Sequence, residues 1–256
     1  MAMISSRSSA AWMARRKARF WVWPKAVLMM SVWYAQGIIS NADIGTLALR
    51  DWQNLPRPAR AIGVNAGGEA VRVRLESQVS RWRLPVIWLV AQERGGGIVN
   101  RHRPASQLGA DRWALLVASR RRALEGDAAG APCVAVSAGT IVTIDALDAD
   151  GVYVGGIVVP GPHLMLRAMA DRAPALKVPP GTYRPFSTTT ADAIATGAIE
   201  AVCGAIELTR ARLREGEPSV RCYLTGGAAH EIAPHHGSPV EVVDNLVLEG
   251  VLALAE

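Results

Sequence analysis

The spacing of hydrophobic and polar residues changes repeatedly along the chain from about residue 43 onward. Short apolar runs bounded by turn residues are typical of strands, and longer stretches with apolar residues three and four apart are typical of helices. The predicted strands are residues 59–64, 85–91, 132–136, 141–147, 152–159, 221–224 and 240–243. The predicted helices are residues 69–79, 111–124, a stretch from about 162, 190–214 and 245–255. Strands and helices mixed in this order indicate an α/β protein.

Two of the predicted elements carry local signals at their ends. Residues 148–151 have the sequence Asp-Ala-Asp-Gly between two strands, which predicts a hairpin. Thr189 or Thr190 precedes the longest helix and is expected to cap its N-terminus. Gly216 lies just past the predicted end of that helix and is expected to stop it.

The positive charge of the chain is concentrated at its start. The sequence has 28 Lys and Arg against 22 Asp and Glu, a formal net charge of +6. Six of the basic residues and no acidic residue lie within residues 1–42, so the remainder is neutral. A nucleic-acid-binding domain carries a basic face across its fold, and this distribution argues against one.

The three cysteines are too far apart for a metal knuckle and indicate buried thiols of a reducing compartment, the cytoplasm.

Residues 1–36 form an atypical basic segment. They contain four of the eight tryptophans and follow neither a helical nor a strand period. One interpretation is an export signal, with basic residues 15–17 followed by an apolar run over 26–34, although no small-residue cleavage site follows. The other is that the segment is foreign to the fold, as a frameshift or a misassigned start would produce. A membrane-spanning helix needs about 20 consecutive apolar residues, and this segment has no such run.

Three glycine-containing turns are candidate ligand-binding sites. Residues 137–140 (Ser-Ala-Gly-Thr) and 225–227 (Thr-Gly-Gly) follow strands, where backbone N–H groups can bind phosphate oxygens, although each is also an ordinary tight turn. Residues 109–112 (Gly-Ala-Asp-Arg) open a helix. There Asp111 is either a helix cap or a general base, with Arg112 holding an anionic group. P-loop and Rossmann motifs are absent from the sequence.

The histidines do not have the spacing of metal ligands. There are five of them, and the sequence contains no HExxH motif. His235 and His236 lie in a loop rich in proline and glycine, and we expect them to be a solvated pair.

Six motifs in a fixed order resemble those of the type III pantothenate kinase family. They are Asn-x-His…Gln-Leu-Gly-Ala-Asp-Arg-Trp over residues 100–113, Ser-x-Gly-Thr-x-x-Thr-Ile-Asp over 137–145, Gly-Gly-Ile-x-x-Pro-Gly over 155–161, Thr-x-x-Ala-Ile-x-x-Gly over 190–197, Thr-Gly-Gly over 225–227 and Leu-x-Leu-x-Gly-Val over 246–251. The sequence is most similar to the β-proteobacterial branch, which includes proteins called Bvg accessory factor. The resemblance covers about residues 52–256.

This resemblance implies a fold and an activity. The fold would be α/β, with two ribonuclease-H-like halves as in the acetate and sugar kinase, Hsp70 and actin superfamily. Residues 1–36 would be an atypical segment, 37–125 an incomplete N-terminal half and 126–256 the C-terminal half. The activity would be transfer of the ATP γ-phosphate to the 4′-hydroxyl of pantothenate, the first step of coenzyme A biosynthesis. The implied enzyme is a cytoplasmic homodimer that uses Mg²⁺ with ATP, and K⁺ or NH₄⁺ as a monovalent cation.

The resemblance also assigns roles to individual residues. Asp111 is implied to be the general base. The implied pantothenate-binding residues are His102, Gly109, Ala110, Arg112 and, across a dimer interface, Thr190. The implied ATP-binding residues are Gly139, Thr140, Gly226 and Gly227. Ser137 stands where many members have an Asp that ligates the monovalent cation, and His102 stands where the family usually has a Tyr that contacts pantothenate.

One family motif has no counterpart in this sequence. Family members open with an Asp-x-Gly-Asn-(Thr/Ser)-Arg loop that binds ATP phosphates and helps to hold Mg²⁺, whereas residues 1–42 contain no acidic residue. Losing such a loop is expected to reduce the rate on the order of 10³-fold or more. The alternative to an active kinase is therefore a catalytically impaired homologue that acts as a non-enzymatic accessory or binding protein.

Overall fold

A computed structural model describes residues 21–22, 26–29, 32–36, 39–125, 130–173, 176, 178–214 and 219–256. Its contacts group the chain into two units. The first contains the described residues up to Ala91 together with Gly109–Asp111 and Ala255–Glu256, and the second contains Gln92–Leu108 and Arg112–Leu254. These units do not follow a single division at residue 126, and the boundaries of the two ribonuclease-H-like halves stay a prediction.

The first unit contains short strands and one α-helix. Its elements are β1 (Trp21–Val22), β2 (Ala26–Met29), β3 (Val32–Gln36), β4 (Ile39–Ser40), a 3-10 helix (Asn41–Thr46), β5 (Ala61–Gly63), α1 (Glu69–Val79), a 3-10 helix (Ser80–Trp82) and β6 (Val86–Trp88). Strands β1 and β4 pair antiparallel, β2 and β3 form an antiparallel hairpin, and β5 and β6 pair in parallel around α1.

The core of the first unit is formed by α1 and the aromatic residues that follow the first 3-10 helix. Val71, Leu75 and Val79 recur every four residues along α1 and are buried, which places them on one helix face. They share a hydrophobic cluster with Trp52 and Trp82, whose rings lie 5.3 Å apart. The expectation that residues 1–36 are foreign to the fold lies largely outside the described residues.

The second unit is built around one mixed sheet. Its elements are β7 (Arg94–Gly95), β8 (Ile98–Asn100), a 3-10 helix (Ala105–Gln107), α2 (Ala110–Ala123), β9 (Cys133–Ala138), β10 (Ile141–Leu147), β11 (Val152–Pro160), α3 (Pro162–Arg172), α4 (Thr190–Leu213), β12 (Arg221–Thr225), α5 (Ala229–Ile232), β13 (Glu241–Val242) and α6 (Leu246–Ala253). The strand order is β13-β12-β9-β10-β11-β8-β7. Strands β9, β10 and β11 form an antiparallel meander, and β12 and β13 add to β9 in parallel, as in a ribonuclease-H-like half.

Helices cover both faces of this sheet. Ile199, Val202 and Ile206 of α4 pack against one face in a cluster that includes Ile144. Successive residues of a strand point to opposite faces, so Asp145 belongs to the other face, where Arg112 of α2 binds it. Helix α6 lies directly on α2, because a Cβ on Gly250 would overlap the carbonyl oxygen of Ala114.

Most of the predicted elements are confirmed. Helix α1 and strand β10 have the predicted limits. The hairpin between β10 and β11 is present, and Thr189 caps α4 by accepting a hydrogen bond from the backbone N–H of Asp192 at 3.2 Å. Gly216 lies outside the described residues. Cys133, Cys203 and Cys222 are free and buried, as expected, and burial raises the pKa of Cys133 to about 12.

The expectation of a solvated His235–His236 pair is wrong. The loop before β13 folds back onto α4, so the His236 side chain is only 1% exposed and lies beside Glu207. Burial lowers the pKa of His236 despite that carboxylate. His235 stacks on Tyr183, with ring centroids 3.6 Å apart.

Within the described ranges, none of the helices is both long and apolar enough to span a bilayer.

Candidate active site

Asp111 lies in the first turn of α2 with an unengaged carboxylate. The helix begins at Ala110, so Gly109 occupies the cap position and Asp111 is the second helical residue. Its side chain is partly buried, and no hydrogen bond or ion pair joins it to another residue in the described part of the chain. The helix-cap interpretation of Asp111 is therefore wrong. A carboxylate oxygen without a partner can accept a hydrogen bond from a ligand.

Arg112, the next residue, is fixed by a carboxylate from the sheet. Its Nε donates to Oδ2 of Asp145 at 3.0 Å, and its Nη2 donates to Oδ1 at 2.5 Å. Nη2 also donates to the hydroxyl of Tyr153 at 3.0 Å, and that hydroxyl donates to Oδ1 of Asp145 at 3.1 Å. Burial and the neighbouring Asp145 raise the pKa of Tyr153, so its phenol stays protonated and can donate.

Two of the predicted phosphate-binding turns lie together at one end of the sheet. Strands β9 and β12 are parallel and Thr225 aligns with Ser137, so the segments that follow both strands leave the sheet side by side. The backbone N–H of Ala228 donates to the carbonyl of Ala138 at 3.0 Å. Gly226 has φ of 101°, and a Cβ there would lie 2.5 Å from that same carbonyl oxygen, so only glycine fits.

The turn at Gly139 and Thr140 is held from its other side by the start of α3. The backbone N–H of Gly161 donates to the carbonyl of Thr140 at 2.8 Å. The structure thus brings the predicted ATP-binding residues Gly139, Thr140, Gly226 and Gly227 into one group of adjoining loops. Backbone N–H groups in such loops are suitable for binding phosphate oxygens.

A row of hydroxyl groups crosses three strands beside these turns. Ser137 of β9 aligns with Thr143 of β10 and with Thr225 of β12. The Oγ1 atoms of both threonines are buried and have no hydrogen-bond partner among the residues that the structure describes. K⁺ can be bound by neutral oxygens, and this row offers them, but it lacks the carboxylate that a divalent ion prefers. The described residues contain no group of three or more His, Cys, Asp and Glu side chains placed to hold a metal.

Thr190 lines an apolar groove between α3 and α4. The groove has a volume of about 630 Å³ and is lined by Met165, Met169, residues 187–190, Ala193, Ile194, Gly197 and Ala198. Phe186, adjacent to this lining, is 95% exposed. The structure therefore places Thr190 on a different feature of the second unit from the turns that are predicted to bind phosphate.

His102 belongs to a loop that Asn100 organises. The buried Asn100 amide donates to the carbonyls of Gln92 and Ala105, and its oxygen accepts from the backbone N–H of His102 at 2.9 Å. The Nδ1 of His102 lies 3.0 Å from the carbonyl oxygen of Pro104, which can only accept, so Nδ1 carries the proton. In neutral His102 the acceptor nitrogen is therefore Nε2.

Sequence reasoning missed three residues of this site: Asp145, Tyr153 and Gly156. Asp145 ends the Ser-x-Gly-Thr-x-x-Thr-Ile-Asp motif, and an acidic residue inside an apolar strand was a signal that it has a partner.

Gly109, Ala110 and Asp111 group with the first unit, and Arg112 with the second. The expectation that Asp111 and Thr140 lie near one another stays a prediction.

Comparison with known proteins identifies relatives along most of the chain. The family model for type III pantothenate kinase matches residues 28–212. A type III pantothenate kinase from Leptothrix cholodnii is 42% identical over 225 residues, which are 86% of either chain. A type III pantothenate kinase from Acidovorax ebreus is 38% identical over 215 residues, which are 83% of this chain and 82% of that relative. The family match begins inside residues 1–36, so the similarity extends further toward the N-terminus than residue 52.

One solved structure supports the fold. It is the crystal structure of a conserved Campylobacter jejuni protein named as a Baf family transcriptional activator, with a TM-score of 0.54. The match has 17% sequence identity and covers 85% of this chain and 88% of that chain. At that identity the likeness concerns the fold alone.

Proposed function

The chain belongs to the type III pantothenate kinase family, and from this premise we propose that it phosphorylates the 4′-hydroxyl of pantothenate with ATP, using Asp111 as the general base. Its fold is α/β, with the two ribonuclease-H-like halves of the acetate and sugar kinase, Hsp70 and actin superfamily. The reaction is the first step of coenzyme A biosynthesis. Free, buried cysteines suit the reducing cytoplasm, where we expect the enzyme to act.

The observation that carries this proposal is the Asp111 carboxylate in the first turn of α2, which makes no hydrogen bond or ion pair with another described residue. Phosphoryl transfer requires positioning and charge stabilisation more than covalent help from the protein. The Asp111 carboxylate accepts the 4′-hydroxyl proton as that oxygen forms a bond to the γ-phosphorus. The bond from the γ-phosphorus to the β,γ-bridging oxygen then breaks, and ADP leaves with the electron pair.

The ATP phosphates are proposed to bind at the adjoining turns. Gly139 and Gly226 allow a close approach to the backbone, and the Thr140 hydroxyl can donate to a phosphate oxygen. ATP would bring Mg²⁺, which when bound neutralises phosphate charge. K⁺ or NH₄⁺ would contact the neutral hydroxyl row at Ser137, and we expect it to bind weakly because Ser137 adds no negative charge.

Pantothenate is proposed to bind at the start of α2. Arg112 donates hydrogen bonds to it, and the backbone of Gly109 and Ala110 lies against it. His102 would contact it in place of the usual tyrosine, and Thr190 would reach it from a partner subunit.

Turnover is the direct test of this function. We expect ADP release to require pantothenate as well as ATP, and mass spectrometry should detect 4′-phosphopantothenate as the product. ATP without pantothenate is the matched control, since it reports background hydrolysis. Equal ADP release with and without pantothenate at saturating concentrations would contradict the kinase assignment.

A second candidate function is that of an impaired homologue acting as a non-enzymatic accessory or binding protein. The observation that favours it is the lack of any acidic residue before Asp43, where the family has its phosphate loop. Calorimetric binding of pantothenate without product formation would support this candidate, because it shows an intact substrate site with no transfer.

The groove between α3 and α4 is proposed as the surface of a homodimer. Its apolar lining and the exposed Phe186 are unfavourable in water, and Thr190 in the groove is the residue expected to act across the interface. Gly197 lines the groove and has open space at its Cβ position. We expect Gly197→Arg to convert dimers to monomers in light scattering after gel filtration.

The control for this change is Gly204→Arg on the same helix. Gly204 is exposed, has open space at its Cβ position and does not line the groove. We expect that variant to remain dimeric. Identical oligomeric states of both variants would show that the dimer uses another surface.

A further inference from the structure

We propose that Asp145 is a positioning residue that fixes the guanidinium of Arg112 in the orientation in which it binds the acyl substrate. This inference rests on the proposed function, because it takes pantothenate as the group that Arg112 binds. It adds to that function a carboxylate from the middle of β10, a residue that has no role in the reaction itself.

Arg112 and Asp145 form a bidentate ion pair. Nε and Nη2 of Arg112 each donate to a different oxygen of Asp145, so the two planar groups are held nearly edge to edge. The Tyr153 hydroxyl closes the arrangement by accepting from Nη2 and donating to Oδ1. A single hydrogen bond would let the guanidinium rotate, whereas this arrangement sets both its position and its plane.

Burial decides which side of the pair is available to a ligand. The Asp145 side chain is 0% exposed, and the Arg112 side chain is 16% exposed. A ligand can therefore reach the pair only through Arg112. Because the pair is formally neutral, Arg112 acts on the substrate as a directed hydrogen-bond donor more than as a free positive charge.

Gly156 provides the space that the carboxylate occupies. It aligns with Asp145 across the β10–β11 ladder, and a Cβ on it would overlap Oδ1 of Asp145 and lie 2.8 Å from Nη2 of Arg112. The second glycine of the Gly-Gly-Ile-x-x-Pro-Gly motif thus has a specific physical role. Any larger residue would displace the carboxylate or the guanidinium.

Stability alone does not account for this carboxylate. Replacing a buried ion pair with well-packed apolar residues is often neutral or stabilising, because removing two charges from water is costly. The Asp145 side chain is 0% exposed, and apolar side chains usually occupy such fully buried strand positions. An apolar residue cannot hold the Arg112 side chain in one conformation before the substrate binds. Asp145 can, and this lowers the entropy cost of ordering Arg112 during binding.

The location of the fixed group links it to the reaction. Arg112 directly follows Asp111, the proposed general base, in the first turn of α2. Misplacing the Arg112 guanidinium therefore misplaces the substrate oxygen that it binds. A misplacement of about 1 Å at this point can reduce the rate by about 10²-fold.

The test compares Asp145→Asn with Glu249→Gln in the full-length protein. Glu249 of α6 makes a matching two-point contact with Arg122, which lies at the other end of α2 from Arg112. Nε and Nη2 of Arg122 donate to the two oxygens of Glu249 at 2.9 and 2.8 Å. For Asp145→Asn we expect kcat/KM for pantothenate to fall by about 10²-fold, with the KM for ATP changed less than about twofold. For Glu249→Gln we expect both constants to stay near wild type. Equal effects of the two substitutions would overturn the inference.

A second readout is hydrogen exchange in the ligand-free protein, which does not depend on turnover, and its Tyr153→Phe variant does not depend on how well Asp145→Asn folds. In NMR spectra of the ligand-free protein, the Arg112 Nε–H should give a slowly exchanging signal, assigned by its loss in Arg112→Lys. Tyr153→Phe removes one hydroxyl and should speed that exchange and lower kcat/KM for pantothenate several-fold. An exchange rate unchanged in both Asp145→Asn and Tyr153→Phe would contradict the inference. Failure of the proposed function would appear instead in the wild-type protein, as ADP release that does not depend on pantothenate.

Discussion

Replacing Asp111 by Asn is expected to reduce pantothenate-dependent ADP release by about 10²–10⁴-fold, the usual effect of losing a general base. Asn has nearly the same size as Asp, and the Asp111 carboxylate makes no hydrogen bond with another described residue that the fold would lose. Its amide cannot accept the 4′-hydroxyl proton, so the chemical step slows while binding and folding persist. Steady-state kinetics together with thermal melting measure both effects.

The matched control for this variant is Asp150→Asn. Asp150 is an exposed residue of the β10–β11 turn, and its substitution removes the same charge from the same protein. We expect that control to keep wild-type kinetics. Full activity in Asp111→Asn would show that another group accepts the proton.

Replacing Gly250 by Ala is expected to produce the largest loss of stability, about 1–3 kcal/mol or more. Helices α2 and α6 approach so closely that a Cβ on Gly250 would overlap the backbone carbonyl of Ala114. Backbone atoms cannot move aside as a flexible side chain can, so the two helices must separate. Denaturant unfolding monitored by circular dichroism measures the change in the free energy of unfolding.

Gly204→Ala is the control, since it makes the same chemical change in a helix with open space around the new methyl group. Alanine is favoured over glycine inside a helix by roughly 0.5–1 kcal/mol, so we expect this variant to be more stable than wild type. The two alanine substitutions should thus act in opposite directions. A Gly250→Ala protein as stable as wild type would contradict the close packing of α2 and α6.

Local periodicity is what made the secondary structure predictable. Helix α1 and strand β10 have the predicted limits because their apolar residues recur at helical and strand spacing within a single element. The Thr189 cap could be predicted for a similar reason, since its hydrogen bond reaches only three residues along the chain. The turns predicted to bind phosphate could be found because each is a short glycine-containing segment directly after a strand.

Contacts between residues distant in sequence could not be obtained this way. Arg112 and Asp145 are separated by 33 positions, and His236 and Glu207 by 29. The sequence placed His236 in a polar loop, where a histidine is normally solvated, and nothing local indicated that the loop would fold back onto α4. For Asp111 the sequence left a cap and a base open, and the helix start at Ala110 removed the first alternative.

The sequence by itself determined the α/β class, the place of most helices and strands, and the family, because each of these depends on short-range patterns or on motifs in a fixed order. Only the tertiary structure decided how Arg112 is held, where Thr190 lies and why Gly156 and Gly250 are glycines. The physical reason is that these properties depend on which side chains and backbones meet after strands pair and helices pack. Spacing along the chain encodes which face a residue occupies, but not which partner it finds there.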